Sequence, residues 1–326
     1  MGINDTKKQH YVPQFLLRNF PTEGKEQLWV YDKANDNVFP SNIKDIASEN
    51  KFYDFKVDGE GHSLEEFMGK IEASAAPIIR RIVGSCSITS MSEDEKKTLS
   101  VFFAIQFLRT KHQRDNRADF SKQFREALLS KGIPEKMLAE AGVVEATRED
   151  IIRESSLSIL EYEKYAGHFF SKDWVLHKSD SSIPLYTSDN PICLFHRQPT
   201  DGFWSNRGLA VPGIEIYLPL SNNLLLGMLC PTIKIKFEIT LKAFDSLPNI
   251  PQHILAKETA PLRTLLQKVG TGIAVPLSLE QIAHYNSLQV TDSERFIYCS
   301  TNEFDHVQNM LQENPEYRHG RRGTVT

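Results

Sequence analysis

The chain has 326 residues, 40% of them hydrophobic and 25% charged, with a formal net charge of −4; it can bury one large core or two ordinary ones, and it has no global attraction for nucleic acid. Cys86, Cys193, Cys230 and Cys299 lie far apart with no C-x-x-C pair, which excludes the usual zinc spacing and leaves reduced, buried thiols as the expectation. The first eight residues have no apolar h-region, and the longest apolar run, 223–230, is far too short to cross a bilayer, so a soluble cytoplasmic protein with no membrane partner is expected.

The first segment to stand out is Gln9-His10-Tyr11-Val12-Pro13-Gln14-Phe15-Leu16-Leu17-Arg18-Asn19-Phe20. It gathers a titratable ring, a fixed φ, an apolar run and a guanidinium in one short stretch. Residues 27–32 read as a strand, and a turn at 34–37 leads to a return through Val38-Phe39-Pro40. Residues 51–55 read as a further strand ending in the Asp58-Gly59-Glu60-Gly61 turn. The period changes at Ser63: Leu64, Phe67, Met68, Ile71, Ala75, Ile78, Ile79 and Ile82 share one helical face, with Ser63 and Glu66 as a capping box and Gly84 as a stop. Ser92-Glu93-Asp94-Glu95 opens a second helix, predicted to run unbroken to about residue 129 and to end at Gly132-Ile133-Pro134. Shorter helices follow at 135–141 and, from Thr147 as N-cap, to about residue 170.

From Asp173 the period returns toward two, giving strands at 174–177, 185–187, 192–195 and 214–218. The run 224–230 is apolar throughout, as a strand covered on both faces would be. Helices at 262–269, 278–293 and 303–313, a strand at 295–300 and a frayed tail at 318–326 complete the chain. Strands on both sides of one helical block predict a single α+β domain whose β-sheet core comes from the N- and C-terminal parts. Residues 1–62 are mainly β, 63–170 a helical insertion, 171–300 mainly β with helices, and 301–326 a C-terminal helix and tail.

Five motifs occur in order along nearly the whole chain: His10-x-x-Pro13, Leu17-Arg18-x-Phe20, Gln106-x-x-Arg109-Thr110, Thr187-Ser188-Asp189-Asn190-Pro191 and Leu218-Pro219-Leu220-Ser221. In these the chain resembles a bacterial family, domain-of-unknown-function family 4238. Its members look like proteins of accessory and mobile regions, so the resemblance implies a defence or toxin-like role and carries no stated activity.

Several of these residues have the chemistry for a site. His10 suits general acid or base work because its ordinary pKa lies near neutrality, although a lone histidine is more often structural. One helical turn after Pro13 would bring Gln14 and Arg18 together at i,i+4. On an unbroken second helix Phe102, Gln106, Arg109 and Gln113 form one row, and a guanidinium there needs a planar acceptor such as phosphate, or an internal acid such as Glu72. Glu72, at the edge of the first helix's apolar stripe, is placed to meet Arg18 or Arg109, or to act as a general base. Lys111, Arg114, Arg117, Lys122 and Arg125 make the helix locally basic, diluted by Asp115, Asp119 and Glu126, which reads as a solvated face. Ser188-Asp189-Asn190-Pro191 closes a strand, either as a turn or as a holder of a metal ion or substrate. The G-x-S-x-G, Walker A, H-E-x-x-H and G-x-G-x-x-G patterns are absent.

The resulting expectation is a phosphodiester hydrolase acting on nucleic acid or nucleotide. His10 is its acid or base, Arg18 and Arg109 hold phosphate, Gln106 belongs to the same catalytic set, and Glu72 and Asp189 orient these groups or bind a divalent ion. Gln14, Gln113, Ser188 and Asn190 would bind substrate. The alternatives are a non-enzymatic interaction module and a nucleotide sensor. Catalysis requires the imidazole, the central guanidinium and the Asp189 carboxylate to share one solvent-reachable hollow.

Overall fold

The computed structural model describes residues 8–22, 24–197, 208–246 and 251–323, so positions 324–326 of the tail expected to fray lie outside the described residues. In chain order, β1 (Lys8–His10) and the single-turn α1 (Gln14–Leu17) precede the hairpin of β2 (Gln27–Asp32) and β3 (Asn37–Asn42). Three short strands follow, β4 (Ser48–Asn50), β5 (Asp54–Val57) and β6 (Glu60–Ser63). The helical block comprises α2 (Glu65–Ser85), α3 (Glu93–Leu108), α4 (Lys111–Ser130), α5 (Glu135–Glu140), α6 (Arg148–Ile159) and α7 (Tyr162–Phe170). After it come β7 (Asp173–Lys178), β8 (Thr187–Ser188), β9 (Cys193–Phe195), β10 (Glu215–Ser221), β11 (Leu224–Leu229), α8 (Pro231–Asp245), α9 (Gln252–Lys268), β12 (Val275–Pro276), α10 (Leu279–Asp292), β13 (Phe296–Cys299) and α11 (Asp305–Glu313).

This is the α+β architecture expected, with strands from both ends of the chain combined in one sheet. The four-stranded sheet has the order β3-β2-β13-β8, so that Trp29 near the start pairs with Cys299 near the end. Two polar clamps fasten this closure. Arg295 forks onto the Asp32 carboxylate at 2.8 and 2.6 Å, and the buried Lys33 ammonium donates to the Val290 and Ser293 carbonyls, both at 2.8 Å.

A second sheet has the order β12-β7-β11-β10-β9. Because side chains alternate across a strand, its two faces differ. Trp174 packs against Phe103 of α3, ring centroids 5.4 Å apart, on the face toward the helical block. On the other face His177 and Tyr217 meet Tyr285 of α10. Every residue of β11 is buried, which accounts for its unbroken apolar sequence. Each fully buried Leu or Phe of this layer contributes about 1.5–3 kcal/mol.

The structure corrects several local expectations. The long second helix is two helices: Thr110 leaves helical geometry, with φ −71° and ψ 154°, and its hydroxyl accepts from Gln113 N to cap α4. The helix expected from Thr147 to about residue 170 likewise divides at Leu160 and Glu161 into α6 and α7. Leu64 rather than Ser63 stands at the N-cap of α2, because Ser63 ends β6, and the helix runs past Gly84 to stop at a left-handed Cys86, φ 49°. The turn at 51–53 displaces the strand expected at 51–55 to β5, and α8 had no counterpart in the sequence reading. Cys86, Cys193, Cys230 and Cys299 form no disulfide with one another. Among the described residues no helix is long and apolar enough to cross a membrane.

Candidate functional site

The break between α3 and α4 creates the site. With Thr110 capping α4, Arg109 becomes the last residue associated with α3, and its side chain is 1% exposed. Arg109 Nε donates to Gln106 Oε1 at 2.9 Å, and Nη1 donates to Glu72 Oε1 at 2.7 Å and lies 3.7 Å from Met68 Sδ. Gln106 in turn donates to the Tyr11 carbonyl at 3.0 Å, and the Tyr53 hydroxyl reaches the carbonyls of His10 and Arg109 at 3.2 and 3.4 Å. These bonds tie the N-terminal motif to α2 and α3. Glu65, Met68 and Glu72 stand at i, i+3 and i+7, the spacing that places side chains on one helix face, and Arg109 lies along that row.

Most polar atoms of the cluster are paired. Arg109 Nη2 and His10 Nε2 are buried with no hydrogen-bond partner among the described residues. An unpaired buried polar atom costs about 1–3 kcal/mol, so these two atoms mark where the cluster has bonding capacity to spare. The Glu72 side chain, 29% exposed, opens the cluster toward solvent.

Two ionisations in the cluster are displaced toward each other. Burial pulls the His10 pKa below its ordinary 6.5; the Glu72 charge opposes that shift and the Arg109 charge adds to it. Burial pushes the Glu65 carboxyl above its ordinary 4.5, reinforced by the Glu72 charge and opposed by Arg109. The imidazole therefore gives up its proton more readily than usual and the carboxyl keeps its proton longer. Such an opposed pair is the arrangement in which one group accepts a proton and the other supplies one.

The structure brings together His10, Glu72, Gln106 and Arg109 of the residues singled out from sequence. It separates the rest. Gln14 and Arg18 form the i,i+4 pair that their spacing allows, at 2.8 Å, but on the exposed side of α1, where Arg18 also lies 3.3 Å from Glu26. Asp189 is 1% exposed and spends its carboxylate on three backbone N–H groups, of Glu294, Arg295 and Phe296, at 2.7, 2.8 and 2.8 Å. Ser188 donates to Gln289 Oε1 at 2.7 Å, and Asn190 donates to the Asp292 carbonyl at 2.8 Å while accepting from the Thr110 hydroxyl at 3.1 Å. The Ser-Asp-Asn-Pro motif is thus a clamp on the chain between α10 and β13. The single hollow expected to contain His10, Arg109 and Asp189 does not form, because Asp189 is committed to main chain.

Gln113, displaced from the Gln106–Arg109 row by the helix break, lines a different hollow of about 430 Å³ together with Asn190, His112, Arg321 and Arg322. Glu72, paired to Arg109, and Asp189, bonded to main chain, do not form the carboxylate pair expected for a divalent ion. Among the described residues no group of three or more His, Cys, Asp or Glu side chains is arranged to hold a metal ion. The basic stretch is not simply a solvated face: Arg114 is buried, stacked 3.5 Å over the Phe52 ring and donating to the Phe52 carbonyl, while Lys111 pairs with Asp115.

Sequence reasoning missed Glu65 and Tyr53. Glu65 carried a signal, since it precedes Glu72 by seven residues on the same helix. Tyr53 carried none, because its position depends on the turn at 51–53.

No curated protein and no solved structure matches the chain. A family model described as Protein of unknown function (DUF4238) matches residues 8–303, a span holding the whole Arg109 cluster and the Ser-Asp-Asn-Pro clamp, and the chain belongs to that family.

Proposed function

We propose that the protein hydrolyses a phosphodiester bond in a nucleic acid or nucleotide at the Arg109 cluster. His10 Nε2 takes the proton of the attacking water, Glu65 returns a proton to the leaving oxygen as the P–O bond breaks, and Arg109 Nη2 neutralises the phosphate; both nitrogens are closed to solvent in the free protein, so this reading requires the partly exposed Glu72 side of the cluster to open when substrate binds. Glu72 and Gln106 fix the guanidinium so that little reorganisation accompanies the reaction, which is the arrangement from which electrostatic catalysis draws most. The observation that carries this reading is an arginine held by Glu72 and Gln106 with one buried donor, Nη2, left unpartnered, in a cluster where His10 Nε2 is unpartnered as well. Cleavage of nucleic acid or nucleotides would suit a toxin-like or phage-defence effector, since either loss halts replication.

The test is turnover of single- and double-stranded RNA and DNA and of free nucleotides by wild type, His10→Asn, Glu65→Gln and Arg109→Lys, with EDTA or with Mg²⁺. Loss of a positioned acid or base is expected to lower kcat by about 10²–10⁴-fold without loss of the folded far-UV spectrum. Absence of wild-type turnover on every substrate, or equal turnover in the variants, refutes the assignment.

A further inference from the structure

The face of the five-stranded sheet turned toward α10 forms the floor of a cleft of about 610 Å³ that shares no lining residue with the Arg109 cluster. Its walls are apolar, formed by Leu229, Ile233, Phe237, Leu262, Leu265 and Leu277. Its floor is polar. Glu215, 1% exposed, receives a fork from Arg197 at 2.6 and 3.4 Å and the Tyr217 hydroxyl. Tyr285 lies over Tyr217 with ring centroids 4.6 Å apart. His177 lies 6.1 Å from the Tyr285 ring, is 5% exposed, and its Nδ1 has no hydrogen-bond partner among the described residues.

The floor owes its room to one residue. A Cβ on Gly227, in the middle of β11, would lie 3.2 Å from His177 Nε2 and 3.3 Å from Tyr217 Cε1. A glycine inside a strand weakens it, and is retained where something approaches closely; here the imidazole and the phenol ring take the space.

The charge pattern limits what fits. The Arg197 guanidinium is cancelled by Glu215, so it offers little to an anion, and Glu258 at the rim disfavours one further. A cation would find Glu215 already neutralised. Burial pulls the His177 pKa down to about 4, so the ring is neutral at physiological pH and holds at Nδ1 an uncharged, buried atom with hydrogen-bonding capacity to spare. A cavity of this size, with apolar walls and a few convergent polar groups, has the make-up of a small-molecule site.

We infer that this cleft binds a small uncharged molecule with an apolar or aromatic body and one hydroxyl or N–H group, the body held by the α8, α9 and Leu277 walls and the polar group bonded to His177 Nδ1. It is a second site, whose ligand does not take part in the phosphodiester chemistry.

Four probes of one shape and different polarity test it: p-cresol, toluene, p-toluate and 4-methylbenzylamine, each titrated into the full chain and followed by saturation-transfer NMR. Wild type is expected to bind p-cresol saturably, and at least tenfold more tightly than p-toluate or 4-methylbenzylamine. His177→Phe keeps a flat ring but removes Nδ1, and is expected to weaken p-cresol at least tenfold while leaving toluene unchanged. Leu265→Trp, at a half-buried wall position, is expected to abolish binding of both with the melting temperature preserved, which keeps the inference testable should His177→Phe misfold. The inference is overturned if p-cresol does not bind, if the anion or the cation binds as tightly as p-cresol, or if p-cresol binding is insensitive to either substitution.

Discussion

Asp189→Ala removes the acceptor of three main-chain bonds without altering any surface. The N–H groups of Glu294, Arg295 and Phe296 all converge on this carboxylate at 2.7–2.8 Å, and Asp189 is fully enclosed. Leaving each buried N–H unpaired costs about 1–3 kcal/mol, so three span about 3–9 kcal/mol, and partial rescue by entering water brings the sum to about 4 kcal/mol. An unfolding entropy of about 2.1 cal/mol/K per residue amounts to about 0.7 kcal/mol/K for this chain, so the melting temperature should fall by about 6 °C. Asp189→Asn keeps one acceptor oxygen but turns an amide N–H₂ toward main-chain donors, and should fall by about half as much. Thermal unfolding followed by far-UV circular dichroism measures both. An Asp189→Ala protein melting within 1 °C of wild type, or one that melts normally but loses turnover, would refute the clamp and return Asp189 to the role expected from sequence.

Three further outcomes follow from the same geometry. The pH profile of kcat/KM should be bell-shaped, rising as His10 loses its proton below its ordinary 6.5 and falling as Glu65 loses its own above its ordinary 4.5; an optimum above pH 8 would contradict the pairing. Glu294 is buried, which alone would raise its pKa, but hydrogen bonds from His112 and Arg322 overcome that and hold it far below the ordinary carboxylate range. Its contribution to stability is therefore complete above pH 4.5 and lost as pH falls below that value, so Glu294→Gln should flatten the acid limb of a urea-midpoint-against-pH plot. Thr110→Ala removes both the α4 cap and the bond to Asn190, at about 1–2 kcal/mol and about 2 °C in melting temperature; Thr110→Ser should restore most of it.

What could be read from sequence was what local chemistry decides. The Ser92–Glu95 capping box and the Thr147 cap form where the residues indicate, and the alternating and unbroken apolar runs at 174–177 and 224–230 become β7 and β11. Glu72 at a stripe edge and Arg109 at a core border were natural partners, since each needed the other's charge. The break at Thr110 was invisible because threonine is tolerated inside helices; its second partner, Asn190, lies 80 residues away. Asp189 was misplaced for a related reason: its partners are backbone N–H groups, which leave no mark on residue identity. The cleft floor was hidden because Glu215, Tyr217 and His177 meet only through strand register, though Gly227 in an otherwise apolar strand was a signal that something approached closely.

The pairing of β2 with β13 also bears on how the nascent polypeptide must be made. Trp29 leaves the ribosome roughly 270 residues before Cys299, and at about 5–20 residues per second that is a wait of tens of seconds. During that interval the β2–β3 hairpin has an open edge on the side β13 will occupy, while the helices can already condense from local contacts. A premature stop ahead of Phe296 would leave that edge permanently unprotected, and so would abolish far more than the segment it removes.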